Sequence, residues 1–182
     1  MLQLYFDPFP DLMTERLELR QLSVADAVEI FELRSDEEVN KYVGRQPAKV
    51  IDDALEFIDK INNGVTDRQC MYWAICLKDV TPLIGTICIW NIDEETQSAE
   101  IGYELIPVYQ GKGLMQESIE KVIRFGFEAM HLKMITAFPH SEHTKSIRLL
   151  EKNNFCRDQK AEQAMLPDIG PCVLYTLSRP QI

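Results

Sequence analysis

One stretch restricts what this chain can fold into more than any other: Ser98 to Ser118, SAEIGYELIPVYQGKGLMQES. It alternates at first, with Ile101, Tyr103 and Leu105 on one face and Glu100, Gly102 and Glu104 on the other, which predicts a half-buried strand over Ala99 to Ile106. Pro107, with no N–H to donate, ends the ladder. Gln110, Gly111, Lys112 and Gly113 form a tight turn, and from Leu114 the residues Leu114, Ile119, Val122, Ile123, Phe125 and Phe127 recur at helical spacing. A glycine turn feeding a helix leaves several N–H groups unpaired beside the positive end of the helix dipole. Such a corner binds anions, phosphate most often.

The nucleotide P-loop needs Ser or Thr after its Gly-Lys pair, and here Gly113 follows Lys112. The dinucleotide fingerprint needs a third glycine and a later acidic residue, and neither is in place. Lys112 either pairs with a phosphate or stays solvated, and the turn by itself also suits a plain strand-to-helix connection.

A chain of 182 residues, 46% of them hydrophobic, is long enough for one domain with a substantial core, and we expect residues 1–182 to form it. No apolar run reaches the length of a membrane span, and MLQLYFDPFP is not a secretion signal, so the expectation is a cytoplasmic protein with no membrane partner. The net charge of −10 argues against a nucleic-acid partner. It is compatible with a cationic substrate such as a polyamine, an aminoglycoside or the basic end of a ribosomal protein, and equally with a solubility device. The five cysteines, none in a CxxC pair, read as reduced thiols and not as a metal site.

Taken in order, Thr14 to Leu22 predicts a strand, and Ser23 with Asp26 three residues on predicts a capping box for a helix over Ala25 to Arg34. A second helix is expected from near Pro47 to about Asn62, stopped by Asn63 and Gly64. Met71 to Leu77 and Leu83 to Asn91 read as a hairpin before the central strand. After the glycine-loop helix come a strand over Met134 to Phe138 and a helix over His143 to Asn153. A terminal antiparallel pair, Phe155 to about Met165 and Cys172 to Leu177, is expected to turn around Pro167 to Pro171. This order is mixed α/β. Tyr5, Phe6 and Phe9 in the N-terminal lead call for cover, from the body or from a second subunit in a homodimer.

Three segments in register resemble the GCN5-related N-acetyltransferases (GNAT), in particular the branch that acetylates the N-termini of ribosomal proteins. Thr14 to Arg20 reads TERLELR, Ala99 to Leu105 reads AEIGYEL, and Ser146 is followed by IRLLEKNNF over Ile147 to Phe155. The resemblance spans Met13 to Leu177. It implies a mostly antiparallel central sheet splayed between its fourth and fifth strands, flanked by helices. It also implies acetyl-CoA as cofactor, with pyrophosphate on the N–H groups of Gln110, Gly111, Lys112, Gly113, Leu114 and Met115. The pantetheine arm would lie along Tyr103 and Leu105, in contact with His143 and Ser146. Met115 departs from the usual Gly or Ala, His143 from the usual Asn and Asn154 from the usual Gly, while Leu150 stands where many members carry a general-acid Tyr.

By the same resemblance Ser146 hands a proton to the departing thiolate, or is an ordinary helix serine. Glu104 and Glu100 are the candidates for ordering a water or holding the incoming ammonium, or else partner a lysine or arginine. An α-amine is about a tenth neutral at pH 7, a lysine only about one part in two thousand, so an N-terminal acceptor asks little of a base. The acceptor is thus a primary amine, a protein N-terminus or a small amine, its cleft bounded by Asn40 to Pro47 and by the Pro167 to Pro171 turn. A CoA-binding sensor without turnover is the reading outside enzymology.

Overall fold

The computed structural model describes residues 1–165 and 168–179. Strands β1 (Leu12–Met13) and β2 (Leu17–Gln21) lead through a 3-10 turn, Val24–Asp26, into α1 (Ala27–Ser35), α2 (Glu37–Asn40) and α3 (Ile51–Thr66). The meander β3 (Met71–Leu77), β4 (Leu83–Asp93) and β5 (Ser98–Leu105) follows, then α4 (Leu114–Glu128), β6 (Met134–Ala137) and α5 (Thr144–Lys152). The described chain closes with β7 (Cys156–Arg157), α6 (Gln159–Met165) and β8 (Tyr175–Ser178). The strands form one sheet in the order β1-β2-β3-β4-β5-β6-β8-β7, antiparallel except at β5–β6. Among the described residues no helix is long and apolar enough to cross a membrane.

β3 is buried on both faces. Met71, Trp73 and Ile75 join α4 residues such as Ile119 and Val122 in one core, while Tyr72, Ala74 and Cys76 join Ile30, Leu33 and Ile58 of α1 and α3 in a second. The N-terminal lead covers the first core from outside. Phe6 sits 5.0 Å from Phe125 and Phe9 5.8 Å from Trp73, ring centre to ring centre, and the Trp73 indole N–H donates to the Pro10 carbonyl at 2.8 Å. The body itself therefore covers Phe6 and Phe9, whereas Tyr5 stays exposed.

The capping box at Ser23 is formed as expected: Ser23 Oγ accepts from Ala25 N–H at 3.2 Å, and Asp26 accepts from Ser23 N–H at 2.8 Å. Asp26 also receives both terminal nitrogens of Arg20, at 2.8 and 2.6 Å, so one buried carboxylate joins β2 to α1.

Two segments differ from the sequence expectation. α3 begins at Ile51, where Asp53 accepts from Lys49 and Val50 N–H, and runs past Asn63 and Gly64 to Thr66. Arg68, at φ 62°, makes the break. The segment after Phe155 holds only the two-residue β7 and then turns into α6. Asp158 Oδ1 accepts from Ala161 N–H at 2.9 Å, capping a run, QKAEQAM, of good helix formers. β8 starts at Tyr175, and Cys172 forms an isolated bridge with His140. Pro167, expected in the terminal turn, lies outside the described residues.

Replacing Asp26 with Ala strands Arg20 with little solvent to turn to, and urea unfolding should record a loss of about 3 kcal/mol. Ser23→Ala, which removes one cap acceptor, should cost about 1 kcal/mol.

Candidate active site

β5 meets β6 over only three register pairs, Ser98–Met134 to Glu100–Thr136. Beyond Glu100 the two strands part, while β5 stays paired with β4 as far as Leu105. Ile106 N–H donates to Ile84 on the β4 side, so the alternation of a strand turns the N–H and C=O of Leu105 and Tyr103 toward the open side. A cleft of about 1270 Å³ runs through the gap, lined on one flank by 110–116 and α5 and on the other by α1, α3 and the Tyr42–Arg45 loop.

Gly111 and Gly113 hold φ of 75° and 77°, a conformation costly to any side-chain-bearing residue. Gly113 caps α4 with no side-chain acceptor. The first backbone N–H of the helix to find a partner is that of Glu117, on Gly113 O at 3.2 Å. Among the described residues the N–H groups of Gly111 to Gln116 have no acceptor, the anion-ready corner that the spacing predicts.

Gln110 and Arg16 hold this loop. The Gln110 amide donates to Leu105 O at 3.0 Å, joining loop to strand end. Arg16 donates to Lys112 O at 3.0 Å and to Glu117 at 2.7 Å, and Glu117 also takes the Arg16 N–H at 2.8 Å. Lys112 Nζ lies 5.5 Å from the Tyr109 ring centre, and Leu114 and Met115 are buried in the first turn of α4.

From the other side of the gap, α5 presents Ser146. Its Oγ lies 2.8 Å from the Tyr103 hydroxyl. Burial pushes the Tyr103 phenol up to about 12, so it keeps its proton at neutral pH. His143 is the N-cap of α5: Nδ1 accepts from Ser146 N–H at 2.9 Å, which assigns the ring proton to Nε2. Burial lowers the His143 pKa further, so the imidazole is neutral. Leu150 is fully buried in the core, and Asn154 adopts φ 64°, the conformation otherwise taken by glycine.

The other flank holds the two carboxylates. Glu100 is half-buried, and desolvation raises its pKa to about 7, with a smaller opposing effect from Asn91. Glu104 accepts both terminal nitrogens of Arg45, whose Nε donates to Asn40 at 2.7 Å. Between them Gly102 keeps the floor open: a Cβ there would lie 3.2 Å from Cys88 Sγ and 3.6 Å from Trp90 Nε1. Cys88 is held as the thiol, because burial drives its pKa far up. Trp90, 46% exposed, stands at the mouth, and Tyr42 packs edge-on against His143 at 4.5 Å. His140 lies in the same cleft beside Tyr42.

The sequence profile of the acetyltransferase (GNAT) domain matches residues 16–156. The chain belongs to the GNAT acetyltransferases. It is 34% identical to the uncharacterized N-acetyltransferase YoaA of Bacillus subtilis over 175 residues, 95% of this chain and 99% of that one. Its fold is similar to that of the microcin C7 self immunity acetyltransferase MccE, solved with acetyl-CoA and AMP, with a TM-score of 0.76, 23% identity and coverage of 91% and 94% of the two chains. It is likewise similar to RimL, a ribosomal L7/L12 α-N-protein acetyltransferase solved with coenzyme A, with a TM-score of 0.80, 14% identity and coverage of 93% and 98%.

As a GNAT enzyme the chain is an acetyl-CoA-dependent N-acetyltransferase. Its cleft fits that cofactor on two independent grounds, the row of unclaimed N–H groups at the glycine corner and the open edge of β5. Glu100, Tyr103, Glu104, Leu105, Gln110, Gly111, Gly113, Leu114, Met115, His143 and Ser146 line this cleft and Lys112 lies on the loop at its corner, whereas residues 168–171 of the expected terminal turn do not line it. Arg16, Arg34, Tyr42, Arg45 and Trp90 were missed; the TERL pattern contained Arg16, and the segment suspected of bounding the acceptor contained Tyr42 and Arg45. Gly111→Ala meets no steric contact and tests backbone strain alone, whereas a Cβ at Gly113 also lies 3.4 Å from Arg16 Nη2. Calorimetric titration should show acetyl-CoA binding weakened about tenfold by Gly111→Ala and more by Gly113→Ala.

Proposed function

We propose that this GNAT enzyme transfers acetyl from acetyl-CoA to the α-amine at a protein N-terminus, such as that of a ribosomal protein. The observation that carries this reading is Glu100, a carboxylate tuned by burial to about 7, beside the open edge of β5. A base of that strength suits an amine of pKa near 8, and is poorly matched to a lysine amine near 10.4. RimL, whose name gives it an α-amine acceptor, shares the fold.

Acetyl-CoA supplies a thioester carbonyl and a thiolate leaving group. The N–H groups of Gly111 to Met115, with Lys112 near, would take its pyrophosphate, and the Tyr103 and Leu105 backbone its pantetheine arm. His143 is neutral and offers Nε2–H as a donor in place of the usual Asn. The Leu105 N–H, which faces the open side of β5, would donate to the developing oxyanion, a role worth on the order of 3 kcal/mol. Glu100 takes the proton of the ammonium. Ser146 and Tyr103 form the proton-donating pair, the phenol re-supplying the serine hydroxyl and filling the place that a Tyr at position 150 has elsewhere in the family. Glu104 holds Arg45 and so shapes the acceptor chamber.

Thermal unfolding should shift upward with acetyl-CoA, by about 2.7 kcal/mol of stabilisation at a hundredfold excess over the dissociation constant. Thiol release should follow with N-terminal peptides. The rate should rise with pH through about 7 as Glu100 loses its proton, and Glu100→Gln should remove that limb and lower kcat/KM roughly a hundredfold. Ser146→Ala combined with Tyr103→Phe should lower kcat with acetyl-CoA binding retained. A pH profile unchanged by Glu100→Gln would rule Glu100 out as the base.

A further inference from the structure

The acceptor chamber contains two arginines in different electrostatic situations. Asn40 ties them together: its Nδ2 donates to the Arg34 carbonyl at 2.9 Å and its Oδ1 accepts from Arg45 Nε at 2.7 Å. The Arg45 guanidinium is neutralised by Glu104. Arg34 is half-buried, lies 3.8 Å above the centre of the Phe57 ring, and has no carboxylate within ion-pair distance among the described residues. None of its five N–H donors has an acceptor there either.

Arg20, the arginine on Asp26, has its carboxylate within the fold, whereas the Arg34 nitrogens open to the cleft without one. Stacking on Phe57 fixes the plane of the Arg34 fork and leaves its N–H edges free. Arg34 lines the same cleft as Glu100 and Glu104, and Arg45, Glu104 and Tyr72 are the groups whose charge acts on it. Burial and then Arg45 disfavour its charge, Glu104 acts the other way, and Glu104 is itself engaged by Arg45.

We propose that Arg34 binds a carboxylate carried by the acceptor, and that the acceptor class is an amine with a carboxylate a short reach away. This rests on the amine-acetylating reading above and narrows it. A planar carboxylate matches the guanidinium fork in a two-bond pair. A polyamine, by contrast, would bring further ammonium groups beside Arg34, so the overall charge of −10 is a poor guide to this chamber. The carboxylate has two sources, an acidic side chain next to a peptide N-terminus or the carboxyl group of a free amino acid.

The test is thiol release with saturating acetyl-CoA on two matched pairs: peptides differing only as Asp or Asn at the second position, and free serine against serinamide. At least one carboxylate acceptor should exceed its amide by about tenfold in kcat/KM, mainly through KM. Arg34→Gln should bring that ratio near one. Arg34→Lys, which keeps the charge without the fork, should give an intermediate ratio, and an acetyl-CoA thermal shift checks that each variant is folded. Preference within the peptide pair names a protein acceptor, and preference within the serine pair a small one. A wild-type ratio near one in both pairs, or a ratio untouched in both variants, overturns the proposal. The acetylated products are also compared by thermal shift in the presence of CoA. A carboxylate-dependent shift that needs Arg34, without thiol release from any amine, would refute transfer to these acceptors and uphold the Arg34 site; no such shift and no release would overturn both.

Discussion

The working parts of this enzyme depend on one opening in a hydrogen-bond ladder. β5 and β6 are the sheet's parallel pair, and they hold together for three residues before separating. Neither strand is loose: β4 holds β5 along nearly its whole length, and β8 holds β6 over four register pairs. The gap is therefore a fixed wedge. Backbone groups inside a sheet are costly to leave without partners, and the wedge lines up several of them along one wall. Gln110 satisfies one, the Leu105 carbonyl. The others are open to an extended, amide-bearing ligand, and in the function proposed above the pantetheine arm of CoA would take them.

Around that wedge, burial acts on three titratable groups in the same direction. Tyr103, Glu100 and His143 are each pushed toward the neutral form, by desolvation first. The result is that Tyr103 and His143 stay neutral at neutral pH, while Glu100 alone changes charge there. Arg45 and Glu104 differ from these in facing each other as an ion pair.

The central elements were readable from sequence because their signals are local. β3 falls on the expected residues, and β5, the glycine loop and α4 lie in the order that alternation, a proline stop and helical spacing dictate. The capping box at Ser23 and the left-handed turn at Asn154 are equally local. The failures have physical causes too. Residues 155–165 alternate weakly, and the Asp158 cap together with helix-forming composition outweighed that pattern. Asn63 and Gly64 read as a stop, yet the helix continues to Thr66. Arg16, Arg34 and Arg45 could not be assigned from spacing, since each acts on groups tens of residues away and sequence periodicity is silent about such pairings.

Arg16 shows what one such distant contact does. It comes from the approach to β2, nearly a hundred residues before the glycine loop, yet it fixes the Lys112 carbonyl and the first turn of α4 at once. A loop with two glycines in left-handed conformations is intrinsically floppy, and in isolation would lose much conformational freedom whenever it closed around a phosphate. With Arg16 in place that entropy is lost during folding instead, so it need not be lost again in each binding event. In the function proposed above, the arrangement would move an ordering cost out of cofactor binding, and it makes the shape of the glycine loop conditional on correct docking of a strand from the far end of the chain.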